Sequence, residues 1–329
     1  MEYRTLGKTG WKISAISLGT WQVGGRWGQK FDRENARQIL HQAIDRGVNF
    51  IDTADVYGNG GRESERMVGT VIRERSEDVK LATKIGRRLN PHVAGGYNRA
   101  NLTQFVEEAL QNTGLECLDL VQLHCPPSDV YEQDEAFSTL DELKLAGKIQ
   151  HYGVSVEKVS EALRAIQRPG VASVQIIFNL MRLKPAEDFF PAAKQANVGV
   201  IARVPLASGL LTGKFSLDSQ FDEQDHRHFN RNGEAFDKGE TFSGVPFELA
   251  LEAVEQYKRL LGTKHLAQHA LNWILMHPEV SCVIPGASRL DHLEANLLAA
   301  NLNPLPKVAM EELAEVYDQH LRGLIHPQW

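Results

Sequence analysis

Eight short, apolar, β-rich runs recur along this chain, and they alternate with segments of helical periodicity. The runs are Ala15–Leu18, Phe50–Asp52, Val79–Thr83, Leu118–Leu123, Ile149–Val154, Ser173–Ile177, Val198–Ala202 and Cys282–Ile284. Most are continuously apolar, as expected of strands covered on both faces. The helical segments are Arg33–Arg46 (capped by Asp32, stopped by Gly47), Asn101–Asn112, Asp134–Ala146, Glu157–Gln167, Glu187–Ala196, Phe247–Leu261 and Leu266–Met276. Such alternation predicts an α/β architecture with a parallel sheet, and eight repeats close into a (β/α)8 TIM barrel.

Three segments fall outside this count. Glu2–Thr5 and Trp11–Ser14, joined by a Gly-Lys-Thr-Gly turn, predict an N-terminal β-hairpin. Thr212–Val245 is a long polar loop after the seventh strand, and Pro304–Trp329 holds an extra C-terminal helix. The 329 residues contain no linker or repeat family, so residues 1–329 are expected to form a single barrel domain. The 36 basic and 42 acidic residues give a net charge of −6, with no basic block larger than Arg87-Arg88. That balance argues against nucleic acid or an anionic membrane as partner. No apolar run reaches the ~18 residues of a membrane-spanning helix, and the start carries no signal-like stretch. The three cysteines, Cys117, Cys125 and Cys282, suit a reducing, cytoplasmic location.

Several familiar signatures fail. Gly58-Asn59-Gly60-Gly61 has the wrong spacing for a dinucleotide fingerprint, and Gly209–Phe215 falls one residue short of a phosphate loop. Neither a zinc motif nor G-x-S-x-G occurs. His226 and His228 read as part of an exposed loop, and His124-Cys125 lacks a third ligand, so no metal is expected. What remains is a set of polar residues at the C-terminal ends of the second, third and fourth strands: Asp52, Lys84 and His124. These ends share one cup in a barrel, and Tyr57, in the Gly-rich DVYGNGG loop, can bend back over it. Buried Asp52 and Lys84 must pair. An adjacent ammonium favours phenolate, so Lys84 is expected to lower the Tyr57 pKa and make it a proton donor to a carbonyl oxygen. His124 can donate to the same oxygen. Taken singly, Asp52 can also be a turn cap, Lys84 a rim lysine, Tyr57 a loop aromatic and His124 a backbone partner.

At this point the sequence resembles the aldo-keto reductases, most closely over Gly47–Glu65 (GVNFIDTADVYGNGGRESE), Leu81–Lys84 and Asp119–Pro126. The resemblance implies a barrel that reduces carbonyls with NAD(P)H, with Tyr57 as general acid, Lys84 and Asp52 tuning it and His124 orienting the substrate. It extends to bacterial members and the potassium-channel β-subunits. It also implies cofactor contacts at Thr20, Ser155 and Gln175, and in the PLASGLLTGK loop at Leu206, Ser208, Gly209, Leu210 and Lys214. Arg203 stands where an aromatic ring usually stacks on nicotinamide, and Val156 where an Asn is usual. Ser288, Arg289 and Asn296 match the adenosine 2′-phosphate end, favouring NADP(H) with NAD(H) possible, although Gly286 replaces a common lysine. Trp21 and Cys125 match the substrate pocket. The expected partner is a small carbonyl or alcohol, with monomer and homo-oligomer both open. The alternative function is a redox-sensing, NADP(H)-binding regulatory subunit with little turnover.

Overall fold

The computed structural model describes residues 1–25, 31–58, 60 and 62–329; Asn59 and Gly61 of the Gly-rich loop lie outside the described residues. β1 (Tyr3–Thr5) and β2 (Lys12–Ser14) pair antiparallel as the expected hairpin. The barrel strands follow: β3 (Leu18–Gly19), β4 (Phe50–Asp52), β5 (Lys80–Ile85), β6 (Leu118–His124), β7 (Ile149–Ser155), β8 (Val171–Ile177), β9 (Gly199–Arg203) and β10 (Val280–Val283). Each is parallel to the next in chain order. Bridges Ile16↔Val283 and Gly19↔Gly286 join the last strand to the first. The fold is therefore a (β/α)8 TIM barrel.

The apolar runs locate the strands but end one residue early at several functional positions. Lys84, His124, Ser155 and Arg203 interrupt the hydrophobic pattern, yet the ladder continues through Lys84↔Gln122, His124↔Ser155 and Ile177↔Arg203. Two barrel helices stand outside the helical segments read from the sequence, Glu63–Glu74 and Leu290–Leu298. Both lack a side-chain cap, beginning after Arg62 and Arg289, and the first buries Ser64 and Glu65 beside Met67, Val68 and Val71 on its inner face. The helix expected from Glu157 starts at Val159, because the Glu161 carboxylate accepts from the amides of Glu157 and Lys158.

Below the site, Leu6, Ile13, Phe50, Ala82, Leu120, Ile201 and Cys282 fill the barrel, with Trp11 beneath them. The hairpin closes this floor so tightly that a Cβ on Gly7 (φ +46°) would lie 2.2 Å from the Gly199 nitrogen. Helices Phe247–Leu261 and Lys307–His320, outside the eight repeats, pack on each other. Residues 212–245 form short turns, at His226–Phe229, Lys238–Glu240 and Phe242–Gly244, laid over the barrel mouth.

Candidate active site

The C-terminal strand ends open into a cleft of about 660 Å³ whose wall includes Asp52, Tyr57, Lys84 and His124, a volume typical of small-molecule and cofactor sites. Lys84 Nζ donates to Asp52 Oδ2 at 2.5 Å and to the Thr53 carbonyl at 2.9 Å, and lies 3.2 Å from the Tyr57 hydroxyl. The Asp52 Oδ1 atom accepts from Gln175 at 2.8 Å and Gln122 at 3.3 Å. Lys84 and Asp52 are both buried. Burial pulls the Lys84 pKa down, but Asp52 and then Tyr57 outweigh it, so the ammonium ends above its ordinary value.

The expected acidification of Tyr57 is not the net result. Burial raises its pKa more than the nearby Lys84 lowers it, and the hydroxyl ends above 10. Lys84 acts in the expected direction, but desolvation of a phenolate under the loop is the larger effect. Tyr57 is thus kept as the proton-bearing phenol. The ring of His124 stands edge-on to Tyr57 (6.2 Å, 85°). Burial, then Arg87, Lys84 and Arg203, hold His124 well below its ordinary pKa, so the imidazole is neutral. Its Nδ1 is buried with no partner among the described residues.

The loop carrying Tyr57 is fastened on both sides. Arg88 Nε donates to Asp55 Oδ2 at 2.9 Å, and both Arg88 and Arg62 hold Glu108. Asp55 precedes Tyr57, and Arg62 follows the Gly-rich turn. Burial lifts Asp55 from 3.8 to about 6 despite the pull of Arg88.

Most of the other sequence-derived positions lie on this cleft: Thr20, Ser155, Gln175, Arg203, Leu206, Ser208, Gly209, Lys214, Ser288, Asn296 and Trp21. Several are already engaged. Thr20 donates its hydroxyl to the Asp52 carbonyl, and Ser208 to the Glu240 carbonyl. Gln175 Nε2 donates to Asp52 Oδ1 and to Gln122 Oε1 at 3.4 Å. The Ser288 hydroxyl meets His292 Nδ1 at 3.1 Å, and Asn296 donates to the Gly286 carbonyl.

Three positions sit elsewhere. Leu210 is fully buried in the hydrophobic core, since its turn points this apolar residue inward. Arg289 is off the cleft wall, exposed and held by two bonds to Asp291 (2.6 and 2.9 Å). Cys125, expected on the substrate wall, lies behind it; its thiol is 3.5 Å from Arg203 Nη2 and 3.6 Å from Ser155 Oγ. Its backbone adopts φ +46° with its amide bonded to Ser155, which draws the residue under the guanidinium.

The sequence reading missed a partly buried ionic group at the mouth. Arg203 Nη2 donates to Glu157 Oε2 at 2.8 Å, and Arg87 Nη1 to Glu240 Oε1 at 2.9 Å. Burial pushes both carboxyls up, but Arg87 and Arg203 bring Glu240 below its ordinary value, whereas Glu157, facing Glu240, stays above its own despite Arg203. Cys125, Glu157 and Glu240 place candidate metal-ligand atoms within 4.8 Å of one another, but these groups already face the two guanidiniums. His226 is not an exposed loop residue: it lines the cleft, edge-on to Trp21. His228 is exposed. The sequence hints to this group were Arg203, and Arg87 in the basic pair; Glu240 comes from an aperiodic loop 153 positions from Arg87.

Residues 15–318 match the model of the aldo/keto reductase family. The chain belongs to that family. It is 31% identical to an L-glyceraldehyde 3-phosphate reductase of Escherichia coli, over 98% of this chain and 92% of that protein. It is 29% identical to a probable voltage-gated potassium channel β-subunit of Arabidopsis thaliana, over 96% of each. A glycerol dehydrogenase from Gluconobacter oxydans superposes with TM-score 0.80 at 26% identity, over 100% of this chain and 98% of that one. This aldo-keto reductase is accordingly an oxidoreductase acting on small molecules, in a family that uses NAD(P)H. No helix among its described residues is long and apolar enough to cross a membrane.

Proposed function

We propose that this aldo-keto reductase interconverts carbonyls and alcohols with NADP(H), using Tyr57 as general acid in reduction and general base in oxidation. The observation that carries the reading is the Tyr57 hydroxyl 3.2 Å from a lysine locked onto buried Asp52, on the wall of a cofactor-sized cleft. A bound reduced nicotinamide would supply the hydride. The chain's own part is to hold the carbonyl oxygen between Tyr57 and neutral His124, and to transfer the Tyr57 proton as negative charge builds there. Lys84 then stabilises the phenolate left behind.

The cleft suits a dinucleotide unevenly. Lys214, Arg227 and Lys264 on its wall have the right charge for phosphates, and Ser208 and Gly209 bring left-handed backbone to the same wall. At the nicotinamide end, Ser155 is in place, but Gln175 has its donors on Asp52 and Gln122, and Val156 offers no amide. Arg203 supplies a planar guanidinium for stacking, already tethered to Glu157. Arg289 would have to release Asp291 to reach a 2′-phosphate.

The likeness to a channel β-subunit supports a second reading, a sensor that binds NADPH with little turnover. A Schiff-base aldolase is disfavoured, because a nucleophilic lysine needs a lowered pKa and that of Lys84 is raised. The deciding experiment is steady-state oxidation of NADPH and NADH with a panel of aldehydes, ketones and sugars. Many turnovers per chain, faster with NADPH, are expected; oxidation that stops at one equivalent would favour the sensor.

A further inference from the structure

Arg87 and Glu240 form an ion pair that the catalytic chemistry above does not use. The two side chains meet at 2.9 Å and remain about a fifth exposed (20% and 21%) on the wall shared with Tyr57 and His124. Each acts on one of those groups through space: Glu240 on the Tyr57 hydroxyl, Arg87 on the His124 imidazole. All four groups line the cleft in which a carbonyl would be held. Beside them runs an aromatic surface on the same wall. Trp21 meets His226 at 5.2 Å, His226 meets Phe236 at 6.5 Å, and the Arg87 guanidinium lies 5.7 Å from the Phe236 ring.

Building on the carbonyl-reductase reading, we propose that the Arg87–Glu240 pair sets substrate specificity, selecting neutral aldehydes and ketones with a hydroxyl beside the carbonyl. Glu240 stays ionised at neutral pH, so the pair offers a fixed acceptor and a fixed donor side by side. A substrate hydroxyl uses both, donating to Glu240 and accepting from one of the remaining Arg87 N–H groups. A carboxylate cannot: it has no proton to donate to Glu240 and is repelled by that group, even though Arg87 and Arg203 attract it. The rings of Trp21 and Phe236 suit the C–H faces of a short carbon chain. A substrate without the hydroxyl leaves the half-buried pair unsatisfied in a site from which it displaces water, and a hydrogen bond to a charged group corresponds to a preference of roughly 10- to 100-fold.

The test compares kcat/KM, per free aldehyde and with NADPH, for glyceraldehyde, propionaldehyde and glyoxylate on the full chain. Glyceraldehyde is expected to exceed propionaldehyde by roughly 10- to 100-fold and to exceed anionic glyoxylate. The ratio of the first two should fall by about tenfold in Arg87→Met, and by less in Glu240→Gln, which keeps one acceptor and the size of the side chain. The ratio separates recognition from general damage, which lowers both rates together. Propionaldehyde or glyoxylate turned over as well as glyceraldehyde by the wild-type protein would overturn the proposal while leaving the reductase reading intact, as would variants with the wild-type ratio. No turnover of any carbonyl would remove the reductase reading itself.

Discussion

Lys84 is the residue on which the site turns, because it is buried and touches both Asp52 and Tyr57. Removing one partner of a buried ion pair strands the other charge, at a cost of about 3–5 kcal/mol. Lys84→Met should therefore lower unfolding free energy by that order in urea titration, while the Asp52→Asn/Lys84→Met double variant recovers much of it. Equal losses in the single and double variants would mean that the charge pairing is not what matters. Arg289 is a different case, exposed and held by Asp291. If it swings to a 2′-phosphate, Arg289→Ala should raise the NADPH dissociation constant by about 10-fold or more and leave that for NADH nearly unchanged. Fluorescence titration with both cofactors reads this directly, and equal effects would assign the 2′-phosphate elsewhere. Asp52, Lys84 and His124 were legible because polar side chains at the ends of apolar strands stand out against a barrel pattern, and Tyr57 because its Gly-rich loop can bend back over the same cup. The net direction of the Tyr57 pKa was not, since it depends on burial that the loop creates only in three dimensions.

The loop from Asp52 to Arg62 is the element that presents the tyrosine, and Asp55 is its buried fastening. A carboxyl lifted from 3.8 to about 6 on folding binds protons more tightly in the native state. It therefore contributes stability that is fully present below pH 4 and lost as pH rises through 6, amounting to about 3 kcal/mol. Asp55→Asn, uncharged throughout, should flatten this part of the stability profile between pH 4 and 7. Urea midpoints at those two pH values measure it; an unchanged slope would show that Asp55 does not titrate in this window. Other elements were unevenly readable. Strand order followed from continuous apolar runs, and the first helix from Asp32, whose side chain does accept from Asn35. The helix Glu63–Glu74 was missed because it starts without a side-chain cap straight after a Gly-rich turn. The turns within residues 212–245 could not be read, since their order comes from contacts such as Glu240 with Arg87 and Phe221 among Phe215, Phe242 and Phe247.

At the scale of the whole molecule, the net charge of −6 coexists with a cleft whose wall carries Arg87, Arg203, Lys214, Arg227 and Lys264. Global charge governs solubility and long-range steering, whereas a phosphate or a carbonyl meets local groups. The barrel organises those groups by bringing the ends of strands distant in sequence to one mouth. The 212–245 segment then adds Glu240 and Phe236 to the wall. In the proposed reaction this assembly reduces carbonyls by proton donation from Tyr57. The most direct test is Tyr57→Phe, with NADPH-dependent turnover and NADPH binding measured side by side. Loss of about 10²- to 10⁴-fold in kcat with an NADPH dissociation constant within about twofold of wild type is predicted. A variant that keeps wild-type turnover, or that loses cofactor binding instead, would contradict the claim.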